Sequence, residues 1–186
     1  METDSGHRKR VRHYEDGSHA HELTFSCYRR QAFLSRDRTR EYLADAIVDV
    51  RARLPFHLWA YVFMPEHVHL LIWPEEGVSV SWVLKRIKQS VARRAMGYLR
   101  KHNPSGLRLL ATGLRQEPYR FWQDGPGYDR NVLGRQTLHT MIDYIHANPV
   151  RRGLVSYPEE WKWSSAGEWV VEGTGPISID RSSFPT

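Results

Sequence analysis

His67 and His69 alternate within an apolar run, MPEHVHLLIWP, from Met64 to Pro74. Side chains two apart on a strand share a face, so this spacing sets two imidazoles side by side on a rigid support. That is half of a divalent-metal site. The spacing alone is weak, because the chain carries ten histidines and HAHELTF repeats the pattern at His19 and His21. Glu66 adjoins the pair as a ligand, a base or a hairpin-turn residue.

A second stretch, MIDYIHANPVRRGLV from Met141 to Val155, supplies a different kind of group. On a 3.6-residue period Leu138, Met141, Ile142 and Ile145 form an apolar stripe, and Tyr144 lies roughly 110° from its centre. Asn148 and Thr137 share the Tyr144 flank. A phenol is a poor nucleophile at its free pKa near ~10. A cation that polarises a phosphate and stabilises charge on its oxygens helps the attack. Two imidazoles and an amide oxygen leave open positions for water and substrate oxygens, which suits Mg²⁺ or Mn²⁺. Tyr144 would attack phosphorus, form a covalent phosphotyrosine and release a sugar hydroxyl. The bond energy held in that link allows the strand to be rejoined elsewhere without a nucleotide cofactor. Each residue alone has a plainer reading: buried hydrogen-bonded histidines, a surface tyrosine, a helix C-cap at Asn148 before Pro149. Only the combination favours chemistry.

The elements that must bring these groups together read in order along the chain. Residues 1–17 form a mobile, partly basic arm, residues 18–170 a single domain, and residues 171–186 a polar tail that frays. His19 to Tyr28 reads as a strand with Leu23, Phe25 and Cys27 on one face. Ser35 caps a helix to about Arg53, with Leu43, Ile47, Val50 and Leu54 at core spacing, and Pro55 stops it. Phe56 to Phe63 and Val68 to Trp73 are strand-like and, joined by Met64-Pro65-Glu66, form an antiparallel hairpin. A helix from about Ser79 to His102 carries the stripe Val83, Ile87, Val91, Ala95 and Leu99. Asn103 to Gly113 is a loop, and Pro118 to Gln123 supplies a further strand. A helix from about Gly134 to Ala147 is ended by Pro149 and Gly153. The order predicts an α+β fold, a ferredoxin-like β-α-β-β-α-β sheet with an appended helix carrying the tyrosine.

Charge points to the partner. The net +6 is uneven: from Ser81 to Gln116 there are nine Lys or Arg and no Asp or Glu. Such a one-sign segment suits a polyanion, and Lys85, Arg86, Lys88, Arg93, Arg94, Arg100 and Lys101 are the candidate DNA-binding residues. The competing reading is a solvated helix face. Tyr119, Trp122 or Tyr128 could stack on unpaired bases, although core packing explains them equally well. Cys27 is the single cysteine, which excludes an intramolecular disulfide and a Cys-rich zinc cage. No run approaches the ~18 apolar residues of a membrane span. The N-terminal residues lack a signal-peptide core, so the chain reads as a soluble cytoplasmic protein.

At these residues the chain resembles a known family. PEHVHLLIWP resembles the HUH motif (His, hydrophobic, His) of the single-tyrosine transposases of bacterial insertion sequences. YIHANPVRRGLV followed by EEWKWSSA, FWQDGPGYDRN from Phe121 to Asn131, and HELTFSCYRRQAFL resemble the REP-associated tyrosine transposase branch. The likeness runs from about His21 to Gly167. It implies a ferredoxin-like fold with His67 and His69 on the central sheet, Tyr144 as nucleophile and Asn148 as third metal ligand. It further implies action on single-stranded DNA with hairpin ends, REP-like palindromes among them, giving a 5′-phosphotyrosine and a free 3′-OH. Relatives include monomers and domain-exchanged dimers, so both a monomer and a homodimer are open. Two rival functions remain at this point: a DNA- or RNA-binding regulator that keeps the fold without chemistry, and an HUH nuclease or replication initiator.

Overall fold

A computed structural model of the chain describes residues 19–125 and 127–185. The expected arm at residues 1–17 lies outside the described residues. The elements are β1 (Ala20–Ser26), α1 (Asp37–Arg51), β2 (Phe56–Phe63), β3 (His67–Pro74), α2 (Val80–His102), β4 (Tyr128–Val132), α3 (Arg135–Arg151) and α4 (Ala166–Val170). The sheet order is β2-β3-β1-β4 with every neighbouring pair antiparallel. Two β-α-β units interleaved in this way give the ferredoxin-like arrangement.

Alternation along the strands makes two cores. Leu23, Phe25, Val68, Leu70 and Ile72 meet α1 and α2 through Leu43, Ile47, Val83, Ile87 and Val91. On the other face Val62, Met64 and Leu71 meet α3 through Leu138, Met141, Ile142 and Ile145. An irregularity in β2 between Leu58 and Ala60 sends Trp59 to the α3 side together with Ala60. The Met64-Pro65-Glu66 hairpin forms as expected, closed by Met64 N–H donating to His67 O at 2.9 Å.

Several boundaries differ from expectation. Ser35 does not cap α1; the cap position is Arg36, which makes no side-chain cap, and the Ser35 N–H is taken by Ala32 O in a preceding turn. Pro118 to Gln123 is not a strand. It makes single bridges, Ala111 with Tyr119 and Cys27 with Trp122, and the fourth strand is instead the polar Tyr128–Val132. The chain enters that strand at Gly127, φ +90°, where an added Cβ would stand 2.4 Å from Thr24 O. Only glycine allows so close an approach of two backbones.

Pro149 does not end α3 either. Asn148 and Pro149 lie inside a helix that continues to Arg151. A proline cannot donate to the carbonyl four residues earlier, here Ile145 O. The Asn148 Nδ2 donates to that oxygen at 3.3 Å and to Tyr144 O at 2.8 Å, so the missing donor is replaced. The helix stops at Gly153, φ +65°, with Gly153 N–H on Val150 O and Leu154 N–H on Pro149 O, the Schellman pattern.

Residues 171–185 do not fray. They run beside β2, where Asp180 exchanges hydrogen bonds with Leu58 and accepts from Arg51. Ile177 and Phe184 are buried, and the Phe184 ring sits 5.2 Å from that of Trp59. The outer edge of β2 would otherwise present unpaired backbone groups, which gives this segment something to hold.

Candidate active site

β3 turns His67, His69 and Leu71 toward α3, because Val68, Leu70 and Ile72 point into the other core. The two imidazoles lie 4.9 Å apart, centroid to centroid, with planes at 84°. His69 is paired in register with Thr24 of β1. The Thr24 hydroxyl donates to Glu22 Oε1 at 3.0 Å and therefore accepts from His69 Nδ1–H at 2.8 Å. Glu22 Oε1 lies 3.3 Å from the same nitrogen. This fixes the tautomer and leaves the His69 Nε2 lone pair free for a ligand.

His67 is backed in a similar way. Its Nδ1 is buried and lies 3.2 Å from Glu66 Oε1, off the angle of a hydrogen bond. Burial, with His69 alongside, pushes His67 down to about 4 against the opposing pull of Glu66. At neutral pH it is the uncharged imidazole that can bind a metal. Glu66 is raised by burial, but His67 and Arg152 outweigh this and hold it below the usual carboxylate range. Arg152 Nη1 donates to Glu66 Oε1 at 2.8 Å.

α3 lays its polar flank over this pair. The Tyr144 ring stands edge-on to His69, 5.7 Å between centroids at 89°, and 41% of the residue is exposed. The Arg151 guanidinium lies 5.2 Å from the Tyr144 centroid. Two turns beyond Tyr144, Arg152 reaches Glu66. Asn148 falls between these two contacts on the same flank and is buried. Its Nδ2 is spent on the helix, which leaves the Oδ1 as its ligand-capable atom.

The second histidine pair separates from this site. His21 lies on the α1/α2 face, with Nδ1 2.8 Å from Asp129 Oδ1. Among the described residues no three His, Cys, Asp or Glu are grouped to hold a metal. The candidate donors on this face are the two imidazoles of β3 and the Asn148 amide oxygen on the overlying flank of α3, a set that would depend on substrate oxygens and water to complete a shell. That chemistry fits Mg²⁺ or Mn²⁺ at a phosphate. Sequence reasoning passed over Glu22, Thr24, Arg151 and Arg152. The alternating polar positions of HELTFS marked the first two; nothing in the sequence marked the arginines.

The basic segment sits elsewhere. α2 packs with α1 on the sheet face opposite α3. Lys85 and Arg86 flank the Trp82 ring at 4.6 and 5.5 Å, while Arg93, Arg100 and Lys101 are exposed. Arg94 pairs with Asp45 of α1 at 2.8 Å, and Lys88 donates to Gly125 O at 2.8 Å. Trp122 is core, with Nε1 on Lys88 O and its ring against Phe25. Tyr128 is different. It is half exposed and pairs with Thr24, the residue that pairs with His69, so His69, Thr24 and Tyr128 line one row across the sheet face that α3 covers.

A ferredoxin-like sheet bearing a histidine pair under a helix-borne tyrosine is the architecture of the single-tyrosine HUH transposases. The family model Transposase IS200 like matches residues 16–148, a span that contains His67, His69, Tyr144 and Asn148, and the chain belongs to that family. A Haemophilus influenzae protein assigned to the REP-associated tyrosine transposases is 28% identical over 138 residues, 70% of this chain and 74% of that one. The REP-associated tyrosine transposase of Escherichia coli is 28% identical over 141 residues, 74% of this chain and 70% of that one. A REP-associated tyrosine transposase solved bound to a REP hairpin shares the fold, with TM-score 0.68 at 23% identity over 96% of this chain and 98% of that one. Among the described residues no helix is long and apolar enough to cross a membrane.

Proposed function

We propose that the protein cuts and rejoins single-stranded hairpin DNA through a 5′-phosphotyrosine on Tyr144. The observation that carries this reading is the meeting of Tyr144 with His69 on one sheet face. Tyr144 Oη forms a bond to the scissile phosphorus as its proton leaves, and the bond from phosphorus to the 3′ oxygen breaks. That oxygen departs as a 3′-OH. Attack by a different 3′-OH on the phosphotyrosine restores a phosphodiester and frees the tyrosine. Arg151, its guanidinium 5.2 Å from the centre of the Tyr144 ring, sets positive charge beside the nucleophile. His67 and His69 through Nε2, with Asn148 through Oδ1, would hold Mg²⁺ or Mn²⁺, which supplies charge stabilisation at the phosphate oxygens.

A hairpin substrate is supported by the REP hairpin in the related solved structure. Lys85, Arg86, Lys88, Arg93, Arg94, Arg100 and Lys101 serve DNA held away from the scissile phosphate, because α2 lies across the sheet from Tyr144.

The test incubates the purified protein with Mn²⁺ and an end-labelled single-stranded hairpin oligonucleotide, then looks for label that remains on the denatured protein. A covalent product is expected, absent for Tyr144→Phe. His67→Ala should stop cleavage and leave hairpin binding largely intact. Adduct formation by Tyr144→Phe would overturn the assignment. Binding without any adduct, across several metals and hairpins, would favour a DNA-binding regulator.

A further inference from the structure

One carboxylate oxygen touches both halves of the site. Glu66 Oε1 lies 3.2 Å from His67 Nδ1 and 2.8 Å from Arg152 Nη1. The three residues come from the β2–β3 turn, β3 and the end of α3, so this atom joins the histidine strand to the tyrosine helix. Its position is well fixed. The Glu66 carbonyl accepts from Cys27 N–H at 2.8 Å, the Pro65 carbonyl accepts from Leu34 N–H at 2.9 Å, and the Arg152 N–H donates to Asn148 O at 3.1 Å. Glu66 is 8% exposed, so water does not replace Arg152 freely as its counter-charge.

We propose that Glu66 and Arg152 form a strut that positions His67 and ties the placement of α3 to it. The inference rests on the metal-dependent reading above. A carboxylate on the Nδ1 side of a ligating histidine orients the ring and raises its basicity. Glu22 and Thr24 provide that support to His69, and Glu66 provides it to His67. A small rotation of the His67 ring closes the 3.2 Å approach into an Nδ1–H···O bond and aims Nε2 away from Glu66. Glu66 is thereby a positioning residue and not a ligand, since its oxygen faces the opposite nitrogen. Arg152 holds that oxygen from α3, one turn past Asn148 and two past Tyr144. Displacing α3 therefore strains the His67 support, and loss of the support loosens α3.

The experiment measures Mn²⁺ affinity without DNA, from the electron paramagnetic resonance signal of free Mn²⁺, for the full chain and for Glu66→Gln, Arg152→Met and Arg152→Lys. Adduct formation is followed in parallel against Mn²⁺ concentration, and thermal unfolding checks that each variant folds. Glu66→Gln should bind Mn²⁺ on the order of 10- to 100-fold more weakly, with its adduct rate recovering at high Mn²⁺. Arg152→Met should weaken binding by a smaller factor in the same direction, and Arg152→Lys should regain part of it. The double variant Glu66→Gln/Arg152→Met should be no weaker than Glu66→Gln alone, because the arginine acts through the carboxylate. Wild-type Mn²⁺ affinity in Glu66→Gln and in Arg152→Met would overturn the strut, even with a lowered melting temperature. The metal site itself fails on a different result: unchanged Mn²⁺ binding in His67→Ala together with no adduct from the wild-type chain.

Discussion

Tyr144 and His69 of one chain face each other edge to plane, their rings 5.7 Å apart. On the proposed mechanism, this geometry draws nucleophile and histidine pair from the same polypeptide. Mixing Tyr144→Phe protein with His67→Ala protein should therefore give no more covalent adduct than either alone. Recovery of activity in the mixture would show that a neighbouring copy supplies the tyrosine.

Tyr128 continues the row from His69 through Thr24 to the edge strand, and its ring is half exposed. An unpaired base next to the scissile phosphate can stack there, worth about 1–3 kcal/mol. Tyr128→Ala should weaken single-stranded DNA binding roughly 5- to 150-fold by that figure. Tyr128→Phe should restore most of it. Fluorescence anisotropy with a labelled oligonucleotide reads both.

Arg86, Arg93 and Arg100 are exposed on α2, across the sheet from Tyr144. Replacing all three with Gln should lower the slope of log affinity against log salt by about 2, given the counterions released per phosphate contact. The single-turnover cleavage rate at saturating DNA should stay near wild type. A collapse of that rate with unchanged salt dependence would place α2 at the chemistry instead.

Gly127→Ala should be costly. It combines a positive φ with a Cβ 2.4 Å from the Thr24 carbonyl. A loss on the order of 3 kcal/mol is expected, roughly 6–12 °C in Tm for a chain of this size. Thermal unfolding by circular dichroism would show it, and an unchanged Tm would mean that β4 shifts freely.

His146 is buried, with Nε2 2.8 Å from Ser165 Oγ, and burial pushes it down to about 4 from 6.5. Between those values the unfolded chain takes up a proton that the native chain excludes. The corresponding stability is fully present above about pH 6.5 and is lost as pH falls toward 4. At pH 4.5 the loss from this residue is on the order of 2–3 kcal/mol, and His67 adds to it in the same direction. Urea midpoints at pH 7.5 and 4.5 measure the fall, and His146→Gln should remove its share.

The sequence by itself determined the local part of this protein. The apolar run FHLWAYVF and the alternation in HVHLLIWP, joined by a three-residue turn, marked two strands and their hairpin. The same alternation set His67 and His69 on one side. The helical period put Tyr144 and Asn148 on one flank of α3 for an equally local reason. The polar β4 was not legible, since YDRNV acquires strand geometry only by pairing with β1. The run of α3 through Pro149 was hidden too, as it relies on a side-chain donor from Asn148 that propensity does not count.

Only the tertiary structure decided which groups meet. It set the His19/His21 strand's buried histidine on the opposite face, carried α2 and its arginines away from Tyr144, and brought Arg152 to Glu66, 86 residues apart in the chain. Periodicity says which side chains share a face of one element. It is silent on which face of the sheet each helix covers, because strand order and crossovers fix that, and those depend on contacts between segments far apart in sequence.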